Sequence, residues 1–214
     1  MDFPSRLLFK PVVECPRVDA IAVDGDLGDR QSIPPLPALA ALDGEKPFAE
    51  VKIAYSEEGI YLATFTERQE PVAVSRQRPH SADSFQVWLD TRGGASGHRA
   101  TRFCHHFIIL PKGGGPGRQE PVAWQSRIRR AYDQPATAGP EQIPVTMRQD
   151  DRTYALEALL PAQVLHGFDP EPGQIIGFTY LITDLVRGRQ TYASGDAFPY
   201  SYDPSAWGQL RLGE

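Results

Sequence analysis

Short runs in which apolar and polar residues alternate recur along this chain, and residues that favour turns bound each run. Phe85, Val87 and Leu89, for example, alternate with serine, glutamine and tryptophan. Such alternation places one set of side chains on each face of a β-strand. Helical periodicity of useful length is almost absent. The chain therefore has to fold mainly from β-strands.

Nine of these runs are long enough to be strands. The 19 glycines and 20 prolines are about 18% of the chain, against an average near 12%, and supply frequent turns. No long crossover helix separates the runs, so we expect antiparallel sheets. A β-sandwich of jelly-roll or immunoglobulin-like architecture accommodates them in one domain. The predicted strands are residues 51–56, 59–67, 83–91, 102–110, 122–131, 143–149, 152–160, 174–184 and 207–212.

The length of 214 residues fits one full-sized domain. We expect residues 20–214 to form this single all-β sandwich and residues 1–19 to be an N-terminal extension. At most one short helix is expected, a single turn at residues 161–165, because proline suits the first helical position.

Charge and hydropathy restrict the partners. The net charge of −5 leaves no general basic face for phosphates, so we expect no nucleic acid. The longest apolar runs, such as residues 107–110, are far shorter than the roughly 20 residues that cross a bilayer, so no membrane span is expected. The N-terminus has no secretory-signal pattern, which makes a cytoplasmic location the default expectation. Cys15 and Cys104 are expected to be reduced thiols.

Two segments contain metal-binding residue types. Residues 24–29 include three aspartates but lack a helix–loop–helix frame, so a surface turn is favoured, and calcium completed by distant residues remains open. His98, Cys104, His105 and His106 are soft ligands. On a strand His105 and His106 point to opposite faces and cannot chelate one ion. We predict no cofactor, with calcium as the alternative.

Catalytic motifs are incomplete. The glycine-rich residues 112–118 lack the ending of a phosphate-binding loop and are not followed by a helix. Residues 93–97 are not a nucleophile elbow, and the acidic pairs lie in predicted turns. Aromatic side chains beside polar ones, as at Trp88 and Trp124, are instead typical of sugar-binding surfaces, where C–H faces stack on rings and hydroxyls need directional partners. Binding is therefore favoured over catalysis.

Several stretches, in order, resemble the family 9 carbohydrate-binding modules and the wider DOMON-like sandwiches. Residues 21–29 resemble the family's "I-D-G-x-hydrophobic-x-D" opening. Residues 83–90 resemble its "D-S-V-E-I-F-hydrophobic-D" strand, and residues 154–161 its "Y-x-hydrophobic-E-hydrophobic-x-I-P" strand. The similarity continues at residues 49–55, 59–63, 173–183 and 207–212. It implies a β-sandwich that binds a saccharide without cleaving it.

The resemblance also implies roles for individual residues. The family's sugar-clamping tryptophan falls on His80, and its acidic sugar partner falls on Gln86, whose amide can still bind a hydroxyl. A second clamping aromatic would come from the late loop that contains Phe198 and Tyr200. The predicted ligand contacts are Gln86, Trp88, His105, Trp124 and Arg127, with His80, Phe198 and Tyr200 at the rim.

The predicted ligand is a saccharide or a small acidic molecule, because arginines beside Trp124 suit carboxylates. Two alternatives remain open. Some DOMON-like sandwiches bind haem, which here would need Met147 or paired histidines as axial ligands. The second alternative is an interaction module that keeps the sandwich fold but has lost sugar binding, since fold does not fix function.

Overall fold

The computed structural model describes residues 5–7, 12–19, 22–25, 32–68, 70–93 and 97–214. Within these residues, eleven strands form two sheets, and helix occurs only as short 3-10 turns. The strands are β1 (Val12–Cys15), β2 (Ala49–Ser56), β3 (Gly59–Glu67), β4 (Ser84–Asp90), β5 (Cys104–Gly114), β6 (Glu120–Ser126), β7 (Val145–Gln149), β8 (Thr153–Pro161), β9 (Ile175–Asp184), β10 (Gly188–Thr191) and β11 (Gly208–Leu212).

The two sheets form the predicted β-sandwich. The larger sheet has seven strands in the order β1-β11-β9-β4-β5-β6, with β10 also paired to β9. One edge of β9 pairs with β4, while β11 and β10 lie end to end along its other edge. The smaller sheet has the order β2-β3-β8-β7. The strand pairs are antiparallel except for β1 with β11, which is parallel.

The main core lies between the sheets. Phe85, Val87 and Leu89 of β4 pack there with residues of the smaller sheet such as Ile53 and Leu62. Because side chains alternate along a strand, the other residues of β4 point to the outer face of the larger sheet. This confirms the division of β4 into an apolar and a mixed face, of which the mixed face is the outer one.

The alternation pattern does not predict two of the strands, β1 and β10. β1 lies inside the segment expected to be an extension, yet it pairs with β11 and belongs to the larger sheet. β10 forms a hairpin with β9. Each has four residues, too few for a readable alternation. The predicted helical turn is observed at Ala162–Val164, and further 3-10 turns occur at Ser5–Leu7, Leu39–Asp43, Pro79–Ser81, Pro140–Gln142 and Pro204–Ala206.

A buried ion cluster connects the two sheets. Arg68, directly after β3, lies 2.9 Å from Asp83 and 3.1 Å from Asp184, and the three side chains are at most 2% exposed. Asp83 directly precedes β4, and Asp184 ends β9. Asp83 also accepts hydrogen bonds from the backbone N–H groups of Ala73 and Leu185. The cluster therefore fixes the end of the smaller sheet against the start of β4.

Both cysteines are free and buried, as expected. Cys15 lies in the core between the sheets and Cys104 in a cluster on the outer face. Burial raises the pKa of the Cys104 thiol to about 12, so it stays protonated near neutral pH. No helix in the described ranges is long and apolar enough to cross a membrane.

Candidate ligand-binding cleft

A cleft of about 360 Å³ opens on the outer face of the larger sheet. Trp88 of β4 and His106 of β5 lie opposite each other in its floor, and Leu181 of β9, which lies opposite Gln86 of β4, also lines it. One wall comes from His80 in the 3-10 turn before β4. Another comes from Phe198 in the loop that connects β10 to β11.

Parallel rings fill the base of the cleft. The Trp88 and His106 ring centroids are 4.2 Å apart, with 5° between the ring planes. His80 extends the stack, with its centroid 6.3 Å from that of His106 and 23° between the planes. Tyr200 meets Trp88 edge-on at 5.6 Å. Trp88, His106 and Tyr200 are buried whereas His80 is exposed, so His80 is the solvent-facing end of a packed aromatic column.

A hydrogen-bond chain fixes the orientation of His106. Its Nε2 lies 3.2 Å from Gln86 Oε1, and Gln86 Nε2 donates to Ser84 Oγ at 3.3 Å. The Ser84 hydroxyl in turn donates to the carbonyl oxygen of Pro79 at 2.7 Å. Since an amide oxygen only accepts, His106 carries its proton on Nε2, and its Nδ1 is an acceptor.

The imidazoles of the cleft are neutral near pH 7. Burial lowers the pKa of His106 to about 3, with a smaller contribution from neighbouring His80. The pKa of His80 is also lowered, first by partial burial and then by the positive charge of Arg189. The aromatic column therefore carries no charge under ordinary conditions, and it offers ring faces rather than cations.

Five of the eight predicted contacts line the cleft: His80, Trp88, Arg127, Phe198 and Tyr200. Gln86 is fully buried and contacts His106 instead of the open space. Trp124 lies on the same face of the sheet, opposite Ile108, with the Arg76 guanidinium 5.5 Å from its ring centroid, but it does not line the cleft.

The structure places His105 on the opposite face of the sheet from the cleft. It is fully buried, its Nδ1 accepts from Gln125 Nε2 at 3.0 Å, and its Nε2 donates to the His166 carbonyl oxygen at 3.3 Å. The position expected for His105 is taken by His106, which pairs with Trp88. His105 thus lies away from the cleft, which His106 lines instead.

Sequence reasoning misses the polar residues that the loop and β10 bring to the cleft. Arg189 of β10 lies 2.8 Å from Asp196 and donates to the Tyr200 hydroxyl at 3.0 Å. Tyr200 donates to Asp196 at 3.0 Å, and Trp207 Nε1 donates to the Tyr200 carbonyl oxygen at 2.6 Å. These contacts hold the loop wall in place. No sequence motif marks Arg189, because its strand is too short to recognise.

Within the described ranges no three side chains of His, Cys, Asp or Glu converge as a metal site. Asp26 and Asp29 of the suspected calcium loop lie outside those ranges, so calcium stays a prediction. Met147 packs against the core between the sheets, whereas His80 and His106 are on the outer face. The structure therefore does not bring Met147 together with the cleft histidines.

The two buried histidines predict a loss of stability in acid. Burial lowers the pKa of His105 to about 4 and that of His106 to about 3, whereas the unfolded chain takes up these protons near pH 6.5. The free energy of unfolding is therefore highest above pH 6.5 and falls as the pH drops towards 4. The slope of the free energy of unfolding against pH approaches about 3 kcal/mol per pH unit, because unfolding is then coupled to the uptake of two protons.

Urea unfolding at several pH values measures this slope. His106→Gln is expected to reduce it by about one proton, whereas His98→Gln is the control, because the His98 side chain is 82% exposed. An unchanged slope in His106→Gln would contradict this origin of the acid sensitivity.

Comparison with known proteins shows the fold. No family model matches the chain, and no curated protein is significantly similar to it. A family 9 carbohydrate-binding module from Caldicellulosiruptor kristjanssonii in complex with cellotriose superimposes with a TM-score of 0.63 at 15% identity, over 95% of this chain and 94% of that one. This chain has the fold of a family 9 carbohydrate-binding module.

Two further structures agree. The C. kristjanssonii module in complex with glucose gives a TM-score of 0.63 at 15% identity, over 95% of this chain and 96% of that one. A proposed carbohydrate-binding protein from Bacteroides uniformis gives 0.62 at 12% identity, over 94% and 98%. These likenesses confirm the sandwich of the family 9 modules that the sequence resemblance implies.

Proposed function

We propose that this chain is a non-catalytic saccharide-binding module and that the cleft on the outer face holds the sugar. The observation that carries the proposal is the pairing of an exposed imidazole, His80, with a half-buried phenyl ring, Phe198, on the walls of one cleft. The volume of about 360 Å³ lies at the lower end of the roughly 300–1,000 Å³ of small-molecule sites. The cellotriose and glucose complexes of the similar modules support a sugar ligand.

His80 and Phe198 are proposed to contact the C–H faces of a sugar ring. His80 comes from the turn before β4, where the sequence resemblance places the family's clamping tryptophan. A neutral imidazole has a smaller ring than indole but retains a flat π-face. The packed column behind it, His106 and Trp88, stabilises that face. Phe198 lies in the loop that Arg189, Asp196 and Tyr200 anchor.

The floor supplies partners for hydroxyl groups. Trp88 Nε1 is buried and has no hydrogen-bond partner among the described residues. Burial without an acceptor costs this donor about 1–3 kcal/mol, so we propose that a ligand hydroxyl becomes its acceptor once a small shift of the cleft floor exposes it. His106 Nδ1 is an acceptor of fixed orientation. A donor and an acceptor held in rigid rings are the directional groups that sugar recognition needs.

The acidic content of the cleft favours binding over cleavage. Asp196 is the one carboxylate among the described residues that line it, and it is paired with Arg189. Glycoside hydrolysis generally uses two carboxyl groups flanking the scissile bond. A module that holds the sugar without reacting needs neither of them.

Titration calorimetry with a saccharide panel tests the proposal. We expect measurable binding of at least one sugar from a panel of glucose, cellobiose, cellotriose, xylobiose and their uronic acids. His80→Ala and Phe198→Ala are each expected to weaken binding about tenfold, which is about 1.4 kcal/mol. Tyr132→Ala is the matched control, because Tyr132 is 80% exposed and lies outside the cleft. Absence of heat with every sugar would refute the proposal.

A further inference from the structure

The rim of the cleft concentrates positive charge on a chain whose net charge is −5. Arg127 and Arg129 follow β6, Arg189 lies in β10, and all three line the cleft. Asp196 is the one carboxylate that faces them among the described lining residues, and His80 is neutral near pH 7. The cleft therefore carries a local excess of two positive charges.

The three arginines differ in their contacts. Arg189 is occupied by Asp196 and the Tyr200 hydroxyl, so its charge is neutralised within the wall. Arg127 and Arg129 are exposed and have no ion pair or hydrogen bond of their side chains to any part of the chain that the structure describes. The excess charge therefore resides on these two guanidinium groups.

The segment that carries Arg127 and Arg129 is fixed to the sandwich. Ile128, between them, is 3% exposed and packs in the cluster that contains Trp88. Gln134 holds the Ile128 backbone from both sides: its Oε1 accepts from the N–H at 3.2 Å and its Nε2 donates to the carbonyl oxygen at 2.5 Å. With Ile128 turned inward, its two neighbours are held at the surface beside the cleft.

We propose that the preferred ligand of the cleft is an acidic saccharide, and that Arg127 and Arg129 bind its carboxylate. This inference rests on the proposed sugar-binding function and names the substrate class. Guanidinium groups match a planar carboxylate with two parallel hydrogen bonds. The neutral column and Trp88 Nε1 bind the ring and its hydroxyls, while the arginines distinguish a uronic acid from the corresponding neutral sugar.

The test compares each acid with an uncharged derivative of the same sugar. Titration calorimetry of the full chain with glucuronic acid and galacturonic acid oligosaccharides is set against the methyl esters of the same compounds. We expect the acids to bind at least tenfold more tightly than their esters at low salt. The preference is expected to shrink as sodium chloride is raised, because the rim is exposed and salt screens it.

Two variants test which arginines cause the preference for the acid over the ester. Arg127→Gln combined with Arg129→Gln is expected to abolish the difference between acid and ester, by lowering the affinity for the acid at least tenfold. Arg148→Gln is the matched control, since Arg148 is an exposed arginine of β7 in the other sheet. It should retain the full preference.

The outcomes separate this inference from the proposed function. If the esters and neutral sugars bind as tightly as the acids, or if the double variant keeps the preference, the inference is wrong and sugar binding stands. If acids, esters and neutral sugars all fail to bind, the proposed function fails and the inference fails with it.

Discussion

Replacing Arg68 with methionine is expected to lower the free energy of unfolding by about 3–5 kcal/mol, the cost of leaving buried charges without their partner. Asp83 and Asp184 are fully buried, and Arg68 is the cation between them. Its Nε and Nη2 also donate to the carbonyl oxygens of Glu70 and Pro71, so the variant loses four polar contacts. Urea unfolding followed by circular dichroism measures the change.

The control for this prediction is Arg211→Met, at an exposed position in β11, where we expect a change within about 0.5 kcal/mol. Adding Asp83→Asn and Asp184→Asn to Arg68→Met should recover part of the loss, because the unpaired charges are removed together. A loss below about 1 kcal/mol in Arg68→Met would mean that the cluster contributes far less than its burial indicates.

Trp88→Ala is expected to cost about 3–5 kcal/mol of stability, as for other buried tryptophans, and to abolish sugar binding. Trp88 is the largest fully buried side chain among the described residues. Its removal leaves His106 without its stacked partner and Tyr200 without the ring that it contacts edge-on. The floor of the cleft then collapses or fills with water, and His80 loses the column behind it.

Trp88→Phe separates packing from hydrogen bonding at the same position. It retains an aromatic ring, so we expect a stability loss below about 1.5 kcal/mol, but it deletes the Nε1 donor. Sugar affinity is expected to fall about five- to tenfold, the value of one neutral hydrogen bond. Calorimetry at matched folded concentration measures this.

Trp124→Ala is the matched tryptophan control, because Trp124 lies on the same face but does not line the cleft. It should bind sugar like the original chain. If Trp88→Phe also bound sugar with full affinity, the Trp88 donor would have no role in the ligand site.

Period-two alternation predicts nine of the eleven strands that the structure describes. In β4 it separates Phe85, Val87 and Leu89 from the outward residues, and the observed packing agrees. β1 and β10 are too short to carry such a pattern, and their positions depend on pairing with β11 and β9. β1 pairs with β11 from the other end of the sequence, which a local pattern cannot register.

The sequence pattern does not predict which of His105 and His106 lines the cleft. Alternation places His105 and His106 on opposite faces, but it does not say which face is outward. That is determined by the register between β4 and β5, which sets His106 beside Trp88. Arg189 is a similar case, since it reaches the cleft through a hairpin with β9.

Asp83 opens the strand motif at residues 83–90 that the sequence resemblance identifies. In the structure it holds the start of β4 in place through its ion pair with Arg68.

The end-to-end arrangement of β11 and β10 along one edge of β9 has an evolutionary consequence. The chain leaves that edge after β10 and returns to it at β11, and the intervening excursion carries Asp196, Phe198 and Tyr200 as one continuous insert. The pairing of β4 on the opposite edge of β9 does not depend on that insert. Exchange of this one peptide between relatives would thus replace one wall of the cleft, while the strand pairing of β9 with β4 is kept.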